Sequence, residues 1–259
     1  MTAPELQFTG ERLVPGQVDR QLMEEHVARY QFALASLGSL PDGAKVLDLA
    51  CGAGYGTQML AQAGWDALGV DVSGEAVAWA SHTFGATPHL AYQVADVGAT
   101  GLPAATYAGI VAFEILEHLH EPLPLLREIH RLLAPGGIAL VSTPNREAHT
   151  IAGENEFHHQ EYSVTEFRSL LAEIFPGYQI AIHAQHRGNA TTSGALVGLK
   201  KVYISAKRAV GLGPLIAKAK ADWDPGMDLR TYPHPYTFPA TNLERAEYLI
   251  AILHAPGAV

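Results

Sequence analysis

The sequence predicts an α/β fold built on an open, largely parallel sheet, and three observations carry that prediction. Short apolar runs end one after another in a carboxylate, at Asp48, Asp71, Asp96 and Glu114. Helical stretches separate the first three of these runs, the alternation that produces a parallel sheet. The first run opens directly into a turn with glycines at 52, 54 and 56, where backbone N–H groups can approach a ligand that side chains would keep away. Together these features set the acidic strand ends along the one edge where open α/β sheets bind ligands.

Ahead of the sheet, Met23, Val27, Tyr30, Leu34 and Leu37 recur at spacings of four and three, one apolar helical stripe that Gly38 and Pro41 terminate. Glu24, Glu25, His26 and Arg29 fall on the other face, and residues 1–40 are expected to form an N-terminal helical lid, with a solvated helix face as the alternative. The first strand is Lys45 to Leu49; its turn lacks the G-x-G-x-x-G spacing of dinucleotide sites. Asp48, just before the turn, would repel a phosphate but would help to hold a cationic, amine-bearing ligand. Trp65 to Ser73 reads as the second strand, and its Asp71 follows Asp48 by 23 residues, the place for a carboxylate that binds two ribose hydroxyls. His89 to Asp96, Tyr107 to Glu114 and Leu133 to Ser142 give strands three to five.

Val164 to Phe175 carries Phe167, Leu170, Leu171 and Ile174 on one helical face, Tyr178 to His183 alternates as a sixth strand, and Ala246 to Leu253 is its best antiparallel partner. The intervening stretch of roughly sixty residues is far longer than the two to five of a hairpin loop. Because the sixth strand runs parallel to the first five, the stretch leaves from the ligand edge and is expected to roof an acceptor site. The expected organisation is therefore a core of 41–187 and 244–259 with an acceptor-capping insertion at 188–243.

The chain has 259 residues, 48% of them hydrophobic, enough for one large domain with a substantial core. No apolar run approaches the roughly 18 residues of a membrane span. The first twelve residues have neither a basic start nor a hydrophobic stretch, so no secretory signal is expected, and the single cysteine fits a cytoplasmic protein. That residue, Cys51, reads as a small pocket-lining group, since catalytic thiols need an activating partner. The net charge is −9, yet 188–243 holds seven cations (Lys200, Lys201, Lys207, Arg208, Lys218, Lys220, Arg230) against Asp222, Asp224 and Asp228, an excess of +4. A basic cap on an acidic body points to an acceptor bearing phosphate or carboxylate. Nucleic acid is not the expected partner, because phosphate contacts need an extended basic surface. Oligomeric state is not legible from the chain.

Asp48-Leu-Ala-Cys-Gly-Ala-Gly-Tyr-Gly56 resembles the first motif of class I S-adenosylmethionine-dependent methyltransferases, and Leu133-Ala-Pro-Gly-Gly137 is similar to their turn before strand five. Thr9-Gly-Glu-Arg12 and Glu25-His-Val-Ala-Arg-Tyr30 resemble segments ahead of the core in bacterial methyltransferases of glycan and natural-product pathways. The resemblance covers roughly residues 40–186, more weakly the part before it. It implies a Rossmann-like seven-stranded sheet with S-adenosyl-L-methionine as cofactor. The cofactor site it implies comprises Asp48, Ala50, Gly52, Gly54, Tyr55, Asp71, Val72, Asp96, Val97 and Phe113, with Tyr30 from the lid helix closing over the methionine end. Asp71 would take the ribose and Asp96 the adenine amino group.

Phe113-Glu-Ile-Leu-Glu-His118 and Phe157-His-His-Gln-Glu-Tyr-Ser163 carry the remaining chemistry. Glu114 and Glu117 converge if their turn is helical, and His158 arrives on the same sheet edge from the loop after strand five. Two carboxylates and two imidazoles suit Mg²⁺, Mn²⁺, Fe²⁺ or Zn²⁺. The arrangement is similar to that of small-RNA 3′-terminal 2′-O-methyltransferases, whose E-x-x-E-H and D-H-x-F-E-W-T segments supply metal ligands; Glu114, Glu117, His118 and His158 match those positions. Ser142-Thr-Pro-Asn-Arg-Glu147 matches as well, whereas Glu161-Tyr-Ser stands in place of Glu-Trp-Thr, and Asn155 to Phe157 lacks the family's R-H-x-D. Metal-free relatives, among them ubiquinone-pathway O-methyltransferases, share E-x-x-E-H-L and H-x-x-E-Y-T. The resemblance thus leaves two roles open for Glu117, His118 and His158: ion ligands, or catalytic groups with one histidine as base. His120, His149 and His159 are candidates to replace a ligand, while His130 lies mid-helix and reads as structural. The expected activity is O-methyl transfer to a hydroxylated small molecule, a sugar or a glycosylated or phosphorylated metabolite, with RNA 2′-O-methylation as the alternative.

Overall fold

The structure is a computed structural model that describes residues 6–7, 12–85, 88–149, 157–188 and 223–257. Six helices, α1 (Arg20–Ser36), α2 (Tyr55–Gln62), α3 (Gly74–Phe84), α4 (Leu123–Leu132), α5 (Arg146–His149) and α6 (Val164–Ile174), accompany eight strands among the described residues. The strands are β1 (Lys45–Leu49), β2 (Asp66–Asp71), β3 (Leu90–Val94), β4 (Tyr107–Ala112), β5 (Leu133–Pro144), β6 (Gln179–Arg187), β7 (Tyr236–Thr237) and β8 (Tyr248–His254). They form one mixed sheet in the order β3-β2-β1-β4-β5-β8-β6-β7. The first five neighbours pair parallel, while β8 runs antiparallel between β5 and β6. The seven-strand expectation is corrected by β7, which pairs Tyr236 and Thr237 with Arg187 and His186. Two residues cannot display a period, and Pro235 and Pro239 on either side read as strand breakers.

Successive strand residues feed two separate cores, as a pleat requires. Val46, Val111 and Leu140 pack under α1, α2 and α3 with Met23, Val27, Met59 and Leu60. Leu47, Ile110 and Val141 pack under α4 and α6 with Leu125, Ile129, Phe167 and Leu171. Asp19 caps α1 through Leu22 N, and Ser163 with Glu166 forms a capping box on α6.

Two expectations are refined here. The first concerns α1, where the burial of Glu24, Glu25 and Arg29 removes the solvated alternative for its charged face. Gln185 of β6, Glu114 and Tyr248 of β8 enclose Arg29, and the Tyr236 hydroxyl reaches Glu25. Gln31 donates to the carbonyls of Leu229 and Tyr232, and Phe32 stacks on Phe238 at 4.5 Å. Ala33 joins the stripe fully buried, and Leu34 packs half-buried against the same core.

The second concerns the insertion. Its described part, 223–243, packs along α3, α2 and α1, and 189–222, which the capping expectation also covers, lie outside the described residues. Trp223 packs on Trp79 and Phe84, the Pro225 carbonyl accepts from Gln58, and Tyr236 returns to β6. The six other cations of the expected basic cap, with Asp222, lie outside the described residues. Arg230 is committed to Asp228 at 2.8 Å. No helix among the described residues is long and apolar enough to cross a membrane.

Candidate active site

The chain leaves β1 through a turn in which Ala50, Gly52 and Gly54 all have positive φ (61°, 54° and 78°). Only glycine adopts this conformation without cost, which favours glycine at positions 52 and 54. Asp71, the last residue of β2, fixes it: Oδ2 accepts from Gly52 N (2.9 Å) and Oδ1 from Ser73 N (2.8 Å). Above the turn is a cavity of about 420 Å³, a size suited to a small ligand.

Of the residues expected at the cofactor, Tyr30, Ala50, Gly52, Tyr55, Asp71, Val72, Asp96, Val97 and Phe113 line this cavity. Val72 is 74% exposed, an apolar side chain offered to the opening between the two carboxylates Asp71 and Asp96. Asp96 sits at the rim, where its carboxylate also accepts from Gly98 N.

Asp48 and Gly54 are placed differently from their expected positions. Asp48 is fully buried beneath the turn, where Tyr30 Oη (3.1 Å) and Thr57 Oγ1 (2.6 Å) donate to its carboxylate. It is therefore not a wall group that could meet an amine directly. Gly54 turns its α-carbon to α3 and β3, where a Cβ would lie 2.6 Å from both Ala80 and the Tyr92 ring. It serves packing, and the Tyr92 hydroxyl donates to its carbonyl.

Burial pushes the Asp48 carboxyl up to about 7 against the opposing effect of the two hydroxyl donors. The folded protein therefore binds a proton here that the unfolded chain, with an ordinary carboxylate, has already lost, so stability falls as pH rises from about 4 to about 7. Between pH 5 and pH 8 the ligand-free protein is expected to lose roughly 2–3 kcal/mol from this group. Asp48→Asn should flatten that dependence. Urea melts across the range test this; a wild-type profile already flat would remove Asp48 as its source.

The far end of the cavity holds Glu114, Ile115, His118 and Leu119. Glu114 has φ 51°, and Leu116–His118 form a single 3₁₀ turn. The left-handed residue sends the two glutamates apart. Glu114 goes to Ser142 Oγ (2.6 Å) and Arg29 (3.5 Å), whereas Glu117 is buried beside His118 and His158. Ligand atoms of Glu117, His118 and His158 lie within 4.8 Å of one another, and Glu114 is outside that group. The expected four-residue convergence is thus corrected to three. The loop carrying His158 is pinned by His159 N and Gln160 N, which donate to the Glu117 carbonyl.

His118 Nδ1 lies 3.1 Å from the Phe157 carbonyl and His158 Nδ1 lies 2.7 Å from Glu161 Oε1. A carbonyl and a carboxylate only accept, so the neutral rings carry their protons on Nδ1 and their lone pairs on Nε2. His120 and His159 stack on each other at 3.5 Å, and His130 packs against Phe175 and Tyr178. The side chain of His149 lies outside the described set.

The sequence reading missed Arg12, Leu13 and His26 as lining residues. Arg12 closes the Thr9-Gly-Glu-Arg12 segment, whose first three residues lie outside the described set. His26 sits beside Glu25 on the charged face of α1, and its Nδ1 is 3.4 Å from Tyr55 Oη. Burial, aided by Arg29, holds its pKa well below the ordinary histidine value. Burial, together with Asp48 and Asp71, pushes the Cys51 thiol up, which suits a wall residue and not a thiolate nucleophile.

Comparison with known proteins places this geometry. A family model described as a methyltransferase domain matches residues 18–181. A probable S-adenosylmethionine-dependent methyltransferase of Mycolicibacterium smegmatis is 29% identical over 222 residues, 84% of this chain and 83% of that protein. A ubiquinone biosynthesis O-methyltransferase of Psychrobacter cryohalolentis is 37% identical over 111 residues, 40% of this chain and 42% of that one. Among solved structures, a Haemonchus contortus phosphoethanolamine N-methyltransferase in complex with S-adenosyl-L-methionine superposes with a TM-score of 0.56 at 14% identity, covering 88% of this chain and 52% of that one. At that identity the likeness concerns the fold alone.

Proposed function

The chain belongs to the methyltransferase domain family as an S-adenosylmethionine-dependent methyltransferase, and from that premise we propose O-methyl transfer to a hydroxylated small molecule, with a divalent ion held by Glu117, His118 and His158. The observation that carries this reading is the position of His118, which belongs both to the cavity wall and to the glutamate-histidine group. A methyl donor in the cavity and a proton-handling group at its end are thereby contiguous. The O-methyltransferase relatives support oxygen as the methylated atom.

The residues present fit S-adenosylmethionine. Val72 offers an apolar face, Asp71 keeps lone pairs beyond its two backbone bonds, and Asp96 stands at the rim for an exocyclic amine. They also fit an ion. Two imidazoles with oriented Nε2 lone pairs and one carboxylate suit Mn²⁺, Fe²⁺ or Zn²⁺ better than Mg²⁺, which prefers oxygen donors. When bound, the cofactor supplies a methyl group on a sulfonium, and the ion lowers the pKa of the acceptor hydroxyl.

The protein's own work is alignment and proton removal. Methyl transfer is an in-line displacement, so catalysis depends on holding acceptor oxygen, methyl and sulfur in register. The rigid wall of Tyr30, Tyr55 and Phe113, whose rings meet edge to face at 5.6 and 5.2 Å, keeps water from the methyl group. His118 Nε2, oriented by the Phe157 carbonyl on Nδ1, would hold the ion; without an ion the same lone pair would be the one placed to accept the hydroxyl proton.

A turnover screen over sugars, sugar phosphates and phenolic metabolites, read as S-adenosylhomocysteine release with and without EDTA, tests the proposal. EDTA is expected to lower turnover at least about tenfold while leaving cofactor affinity intact. Activity indifferent to EDTA would remove the ion and leave His118 as a simple base, and methylation of amines alone would overturn the O-methyl assignment.

A further inference from the structure

The Arg29 guanidinium is almost wholly enclosed, at 1% side-chain exposure. Its Nε donates to Gln185 Oε1 (2.7 Å), its Nη2 donates to Glu25 Oε1 (3.1 Å) and lies 3.5 Å from Glu114 Oε2, and its plane sits 4.2 Å from the Tyr248 ring centroid. Nη1 is buried with no hydrogen-bond partner among the described residues. Burial works against the charge, yet Glu114 and Glu25 outweigh it and hold Arg29 as a cation. A buried cation stripped of its carboxylates is strongly destabilising, so this arginine binds its partners tenaciously.

Glu114 meets that cation in a conformation that it would not adopt unaided. Its φ of 51° is uncommon for a non-glycine residue. Ser142 Oγ secures it from both sides, accepting from Glu114 N (3.0 Å) and donating to Oε1 (2.6 Å). The result is a carboxylate three residues from Glu117 that lines the same cavity and yet stands outside the Glu117–His118–His158 group.

We propose that Arg29 is a positioning residue that sets the composition of the ion site, withholding Glu114 so that the chain offers two histidines and one carboxylate instead of two of each. The inference rests on the ion reading above and deepens it. One carboxylate in place of two leaves a divalent ion with a net positive charge and leaves more of its positions open, which suits an acceptor presenting two adjacent oxygens. Arg29 thereby ties α1 to acceptor choice, although it touches neither ligand.

Manganese alone is the probe, titrated by the electron-paramagnetic-resonance signal of the free ion into wild type, Glu114→Gln, Arg29→Gln and the double variant. Circular dichroism and S-adenosylmethionine calorimetry check that each is folded. Glu114→Gln is expected to match wild type within about twofold, and Arg29→Gln to bind Mn²⁺ about tenfold more tightly as Glu114 joins the site. The double variant should lose that gain, a reversal that a purely structural role for Arg29 would not produce. A loss of tenfold or more in Glu114→Gln would overturn the proposal, since Glu114 would then already be a ligand. If Arg29→Gln fails to fold, the pair Glu25→Gln/Arg29→Met takes its place, removing the cation together with its other buried carboxylate and with the same expected gain; an unchanged affinity there, or in folded Arg29→Gln, would also overturn it. Binding seen only after Arg29→Gln would sink the wild-type ion site while supporting the withholding role, and no binding by any variant would sink both.

Discussion

Gly56→Ala should destabilise the ligand-free protein by about 3–5 kcal/mol and empty the cofactor site. A Cβ at residue 56 would stand 1.9 Å from Tyr30 Cζ, so the ring has to leave its place against the α2 backbone. That ring is wedged between Tyr55 and Phe113, and its hydroxyl is one of two donors to the buried Asp48. Overpacking contributes about 1–3 kcal/mol and the lost bond to a charged group about as much again. Tyr30→Ala should make room, so the double variant is expected to be no less stable than Tyr30→Ala alone. Chemical denaturation of the four proteins completes the cycle. Independent, additive losses would show that residue 56 acts elsewhere than on Tyr30.

This glycine illustrates what the sequence does and does not disclose. The glycine-rich turn and the carboxylate-ended strands were legible because backbone freedom and strand period are local properties. The reason for each glycine was not. Gly52 bonds to Asp71, Gly54 admits Tyr92 and Ala80, and Gly56 admits Tyr30, so two of the three serve packing across distances that no motif encodes. Asp48 follows the same logic. Its place before the turn suggested a ligand contact, but the strand carries it inside, where it ties α1 and α2 to β1 through two hydroxyls.

What the charged face of α1 meets was not legible, because helical periodicity reports one apolar stripe and says nothing of a second neighbour. That neighbour is assembled from distant parts of the chain: Gln185, which binds Arg29, lies 156 residues away, and Tyr236, whose hydroxyl reaches Glu25, lies 211 away. The glutamate spacing at 114 and 117 was sound as a helical argument. It failed on the one dihedral at Glu114 that no spacing rule contains, and nothing in the sequence pairs Arg29, the residue that rewards that dihedral, with Glu114. His158, by contrast, arrived where the strand order required, because a loop after β5 must return over the same edge as β4.

Asp71→Ala should lower S-adenosylmethionine affinity about 100- to 1,000-fold, or roughly 3–4 kcal/mol, more than one lost hydrogen bond to a ribose would account for. The carboxylate does two things at once. It lines the cavity, and it receives the N–H groups of Gly52 and Ser73 that shape the turn and the entry to α3. Removing it therefore deletes a ligand contact and frees a turn whose Ala50 and Gly52 are held at positive φ. The unfolded turn has many conformations to lose when the cofactor binds, and that entropy is charged against affinity. Asp71→Asn separates the two effects. Its carbonyl oxygen can still accept from one of the two backbone groups, so its loss should be intermediate, with less penalty in binding entropy than for alanine. Calorimetry on both variants reads this difference directly. If alanine and asparagine cost the same affinity with the same entropy, Asp71 acts only as a ribose ligand, and the glycine turn holds its shape without it.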